Sequence, residues 1–120
     1  MGFNVTLKNV QFTVLITFDI TVDGRTGVYA EVTELLSDKG FKKESPSGEE
    51  FPENVYYGVV QRYVEFKDSG AVSVDELKIA SSNICDQVVE LLGEIFDFQD
   101  VKNKILVHVA RKTTSTTRLE

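Results

Sequence analysis

Residues 10–22 read VQFTVLITFDITV and alternate without a break. Val10, Phe12, Val14, Ile16, Phe18, Ile20 and Val22 fall on one side, and Gln11, Thr13, Leu15, Thr17, Asp19 and Thr21 on the other. Successive side chains of a strand leave opposite faces, so this period of two predicts a long strand with one face in the core and one mostly polar. Asp23-Gly24 ends it. The acid within the run, Asp19, belongs to the outward set and so needs no buried partner.

Downstream, residues 26–39 carry Val28, Val32, Leu35 and Leu36 on one side, which predicts a helix. Gly40 stands where a left-handed C-terminal cap is expected, and Phe41 can fold back on the last turn. FKKES (41–45) is short and lysine-bearing, as suits an edge strand. PSGEEFPEN (46–54) reads as a loop. Residues 54–66, NVYYGVVQRYVEF, form a second long strand with apolar groups on both faces. Either both faces are covered or Gly58 marks a bulge that exchanges them.

KDSGA (67–71) turns the chain. Ser73-Val74-Asp75-Glu76 is a capping box that opens a helix with Leu77, Ser81, Ile84, Val88, Leu91 and Ile95 as its stripe. FDFQDVKN (96–103) returns the chain to a last strand, KILVHVARK (104–112). The order is β-α-β-β-α-β, whose simplest packing is a ferredoxin-like α+β sandwich with two helices on one face of an antiparallel sheet. Right-handed crossovers place the first strand centrally, beside the third and fourth. One sheet face is then open, with Asp19 on it near the carboxyl end of a central strand.

Composition sets the limits. A chain of 120 residues with 42% apolar and 27% charged side chains is expected to form one globular domain, residues 1–112, ahead of a disordered Thr-rich tail at 113–120. Its Leu119-Glu120 end resembles a tag remnant. No apolar run approaches the roughly 18 residues a bilayer span needs. The N-terminal stretch lacks the features of a signal peptide, and its formal myristoylation match at Gly2 and Thr6 is put down to chance or cloning. The single Cys85 leaves no internal disulfide, so a cytoplasmic location is expected. With 19 acids against 13 bases, the net charge of −6 disfavours a protein that depends on phosphate contacts. It leaves room for a nuclease that recruits a cation to carboxylates.

Three features carry candidate chemistry. Asp19 with Asp23 and Arg25 could hold Mg²⁺ if a twofold axis duplicated the carboxylate; equally, Asp19 is a solvated strand residue and Asp23 makes the turn. His108, the one histidine, shares a strand face with Leu106 and Ala110. That places it on the open face as a proton-transfer candidate or as a plain surface residue. Cys85 beside the Ile84 stripe reads as a buried inert thiol. The aromatics Tyr56, Tyr57, Tyr63 and Phe66, with Arg62 and Lys67 close by, could stack RNA bases. An apolar open face fits a homodimer interface at least as well.

ITFDITVDGR (16–25) resembles the opening motif of the small CRISPR-associated endonucleases and their VapD-type relatives. That resemblance implies a metal ligand at Asp19, contributed by both subunits of a dimer, and matches Arg25 to the family's arginine. YAEVTELLSDKGF (29–41), SGEEFPENVYYG (47–58) and SVDELKIASSNICDQV (73–88) resemble the GhoS-type antitoxin endoribonucleases, also ferredoxin-like. Two functions follow as expectations. One is a metal-dependent endoribonuclease of toxin–antitoxin or defence type, with Asp19 and Asp23 on the ion, Arg25 and Arg62 on RNA, and His108 in proton transfer. The other is a non-catalytic dimeric interaction or regulatory domain.

Overall fold

In the computed structural model of the chain, residues 7–43, 55–65 and 73–112 are described. They comprise β1 (Leu7–Thr21), α1 (Val28–Asp38), β2 (Val55–Glu65), α2 (Val74–Gln99) and β3 (Lys102–Arg111). The strands form one antiparallel sheet in the order β2-β1-β3, with β1 central as expected. The architecture is α+β: three antiparallel strands and two helices. Beyond β2 a single antiparallel bridge joins Lys42 to Tyr57, through Lys42 N–H to Tyr57 O (2.9 Å) and Tyr57 N–H to Lys42 O (2.8 Å). The edge strand expected at 41–45 is therefore this one bridge among the described residues, and the full β-α-β-β-α-β order is not shown. The loop at 46–54, Phe66, Lys67, the KDSGA turn and the tail at 113–120 lie outside the described residues.

The core forms on the expected face of β1. Val10, Phe12, Val14, Ile16 and Phe18 are buried, while Gln11, Leu15 and Asp19 are exposed. Phe18 stacks against Tyr29 of α1 and Tyr56 of β2 and tilts against Phe96 of α2, so one ring joins four elements. Tyr56 is fully buried, and its hydroxyl lies 2.7 Å from Thr33 Oγ1. Thr33 gives its only hydroxyl proton to Tyr29 O, so Tyr56 is the donor of that pair.

Register resolves the two-sided pattern of β2. Eleven successive partners run from Leu7↔Glu65 to Thr17↔Val55 without a bulge. Tyr56, Gly58, Val60, Arg62 and Val64 therefore share the helix side, opposite Ile16, Val14, Phe12, Val10 and Lys8. Gly58 is glycine because the Phe41 ring rests on it; a methyl group there would lie 2.5 Å from Phe41 Cδ1.

Both helix termini are set by local sequence. At the end of α1, Gly40 takes φ 91°, Gly40 N–H donates to Ser37 O and Phe41 N–H to Leu36 O. That is a Schellman cap, and it delivers Phe41 to the core. Ser73 caps α2, its Oγ accepting from Glu76 N–H at 3.1 Å. Two expectations are corrected. Leu35 is exposed, the buried face of α1 being Val28, Val32 and Leu36. And α2 continues through FDFQ to Gln99, because Ile95 and Phe96 extend the buried stripe by another turn before Asp100 adopts the left-handed cap conformation (φ 53°). No helix among the described residues is long and apolar enough to cross a membrane.

Candidate functional site: the open face of the sheet

The face of the sheet away from the helices is built by strand parity. Across it run the rows Val59–Thr13–Ala110, Tyr57–Leu15–His108 and Val55–Thr17–Leu106, followed by the pairs Asp19–Lys104 and Thr21–Lys102. Its middle carries solvent-facing apolar groups, Leu15 at 36% exposure, Val59 at 40% and Leu106 at 65%, while Tyr63, 69% exposed, lies at the end beside Asn9. Thr13 is the buried exception, its hydroxyl donating to Ala110 O at 3.2 Å. Asn9 Nδ2 donates to Gln61 Oε1 (3.1 Å) at the far end.

Charge is segregated between the two layers. Helix α1 carries Glu31, Glu34 and Asp38 with no base, and α2 carries six acids against Lys78. Residues 102–112, by contrast, hold Lys102, Lys104, Arg111 and Lys112 and no acid. The net charge of −6 thus belongs to the helices, and the β3 side of the sheet is positive. Around Asp19, Lys102 and Lys104 with Ile20, Thr21 and Asn103 line an open cleft of about 430 Å³.

The expected site residues separate in space. Asp19 is exposed on the open face near the end of β1, as its parity requires. His108 is exposed on the same face, but opposite Leu15, whereas Asp19 faces Lys104. That is four positions along the strand, roughly 13 Å at strand rise. Asp23 lies in the turn after β1. Asp23 (φ 48°) and Gly24 (φ 79°) both take positive φ, and Arg25 N–H closes the turn on Val22 O at 2.9 Å. Among the described residues no three His, Cys, Asp or Glu side chains gather as a metal-binding group.

Arg25 faces the C-terminal end of α2. Its Nη1 donates to Gln99 O (2.7 Å), Nη2 to Asp100 O (3.1 Å) and Nε to Val22 O (3.4 Å). A guanidinium there satisfies terminal carbonyls and meets the negative end of the helix dipole. Arg62 is on the helix side of the sheet, donating through Nη1 to Gln61 O (2.8 Å) and through Nη2 to Gln87 Oε1. There it lines a separate cleft of about 390 Å³ with Tyr63, Glu76, Ile79 and Asn83. The two arginines and Asp19 are therefore not brought to one place. Cys85 is half-buried, its Sγ 3.9 Å from Val107 O.

Leu15, Leu106, Lys102 and Lys104 are the surface residues that reading by segment passed over. Parity marks Leu15 as an apolar residue in a polar row. The lysines acquire meaning only from the β1–β3 register, which sets them against Asp19 and Thr21. No protein-family model matches the chain, and no curated protein or solved structure matches it either.

Proposed function

We propose that the chain is a non-catalytic interaction domain of ferredoxin-like type that self-associates through the open face of its sheet. The observation that carries this reading is the exposure of Leu15, Val59 and Leu106 on neighbouring rows of one face. Apolar area removed from water contributes about 25 cal/mol per Å², and such a patch is the usual mark of an interface. The Lys42–Tyr57 bridge supports a fourth strand beyond β2, which would complete the ferredoxin-like order and widen the same face. Three strands about 4.8 Å apart and about ten residues long present roughly 500 Å² in projection, so a face-to-face pair sits at the weak end of interface sizes. The association is accordingly concentration-dependent. Sedimentation equilibrium of the chain and of Leu15→Glu tests it: the wild type gains mass with concentration and the variant does not, whereas a monomeric wild type would refute it.

A second reading is favoured by the end of that face opposite Asn9, where Asp19 lies among Lys102, Lys104, Thr21 and Asn103. In a metal-dependent endoribonuclease, Asp19 from two copies would hold Mg²⁺ and the lysines would take RNA phosphates. Arg25, engaged with α2, would act there only by giving up its carbonyls. Mg²⁺-dependent RNA cleavage abolished by Asp19→Ala would support this reading, and cleavage that survives the substitution would sink it.

A further inference from the structure

We propose that the cleft between the end of β2 and α2 binds a small zwitterion whose two charges sit at opposite ends of an apolar chain, an ω-amino carboxylate. The cleft lies on the helix side of the sheet, away from the Leu15 row on which self-association rests. Its volume of about 390 Å³ is in the range of small-molecule sites.

Helical spacing grades the cleft by chemistry. Glu76, Ala80, Asn83 and Gln87 recur at steps of three and four residues, so one stripe of α2 lines it. Glu76 stands in the first turn of the helix. Ile79 and Ala80 follow, with Leu7 and the buried Val64 lining the sheet side. At the other end Gln87 Oε1 accepts from Arg62 Nη2. The order along the cleft is therefore carboxylate, apolar surface, guanidinium.

Neither charge has an ionic partner among the described residues. The guanidinium donates to Gln61 O and Gln87 Oε1, both neutral, which leaves three of its five N–H donors for a ligand. The Gln87 contact holds the fork against the helix, so a carboxylate would meet donors already in place. Glu76 N–H is capped by Ser73 Oγ, but the Glu76 carboxylate does not return to Ser73 N–H as a full capping box requires. A simple anion would pair with Arg62 and face Glu76 unpaired, and a simple cation would do the reverse; a zwitterion satisfies both. Eleven residues of α2 separate Glu76 from Gln87, about 16 Å at helix rise. The side chains narrow that gap from both ends, but the ammonium and carboxylate of an α-amino acid, held on one carbon, are too close together to reach both. A longer chain is needed, and the apolar stretch between the charges accommodates it.

The probe is 8-aminooctanoate, titrated into the full chain and followed by amide NMR, with octanoate and octylamine as singly charged controls and 4-aminobutanoate as the short one. Saturable shifts are expected at residues 62–64 and 76–87, with every control binding several-fold more weakly and the difference shrinking as salt rises. Arg62→Gln should reduce 8-aminooctanoate to the affinity of octylamine, and Glu76→Gln should reduce it to that of octanoate, while amides away from the cleft keep their positions. Arg62→Lys, which keeps the charge but not the fork, should retain part of the binding, and it carries the comparison if Arg62→Gln does not fold. Leu15→Glu should leave binding intact, which separates the cleft from the open face. No saturable shift, equal affinity for 8-aminooctanoate and any control, undiminished binding by Glu76→Gln, or shifts centred outside the cleft would overturn the proposal.

Discussion

Gly58→Ala puts the sheet register and the Phe41 contact to one test. The added methyl would lie 2.5 Å from Phe41 Cδ1, 2.8 Å from Phe41 Cε1 and 3.0 Å from Gly40 O. Gly58 does not take a positive φ, so alanine meets no backbone penalty and the effect is steric. Phe41 is 5% exposed and held by the α1 cap, so its ring can yield only by disturbing the core or the cap. Overpacking of this kind costs about 1–3 kcal/mol, offset by about 0.4–1 kcal/mol from the stiffer unfolded chain. The expected net loss is about 1–2 kcal/mol, or a fall in Tm of about 4–8 °C for a domain of this size. Urea unfolding followed by circular dichroism should show a lower midpoint with an unchanged slope. In a Phe41→Leu background, which lacks Cε1, the same alanine should cost less, and the difference measures the contact. Gly58→Ala proteins as stable as their parents in both backgrounds would refute the register that places Phe41 over Gly58.

Further outcomes follow from the same contacts. Arg25→Ala removes two donors from the carbonyls at the α2 terminus and one from Val22 O in the turn after β1, and should destabilise by about 1 kcal/mol in urea unfolding, with Arg25→Lys intermediate. Ser73→Ala should cost about 1 kcal/mol and fray the first turn of α2, read as faster amide exchange at residues 74–77. Leu106→Glu should leave Tm nearly unchanged, because that side chain is 65% exposed, while lowering self-association; Leu15→Glu, on the central strand at 36% exposure, should lower self-association at a cost of about 1 kcal/mol in stability.

How much of this was legible in the residues depends on how local each signal is. The alternation of β1, the Gly40 cap and the Ser73 N-cap each act within a few residues, and each is legible in the residues alone. Asp19 and His108 landed on the open face for the same reason: parity alone assigns it. The end of α2 was harder, since Phe96 and Phe98 suit a returning loop until packing of Phe96 on Phe18 keeps the helix going. Arg25 offered no signal, because its partners Gln99 and Asp100 are 74 and 75 residues away in sequence. Arg62 took the helix side because β2 crosses Gly58 without a bulge, and only register reveals that. The positive side of the sheet was masked by a net charge of −6 that the two helices carry.

The central claim is that the open face of the sheet is where two copies of the chain meet. Sedimentation equilibrium from micromolar to millimolar concentration tests it most directly. The mass is predicted to rise from the 13.4 kDa of one chain towards twice that value, and to remain near 13.4 kDa when Leu15 and Leu106 are both glutamate. A wild-type mass that stays at 13.4 kDa across the whole range, or a double variant that associates as the wild type does, would contradict it.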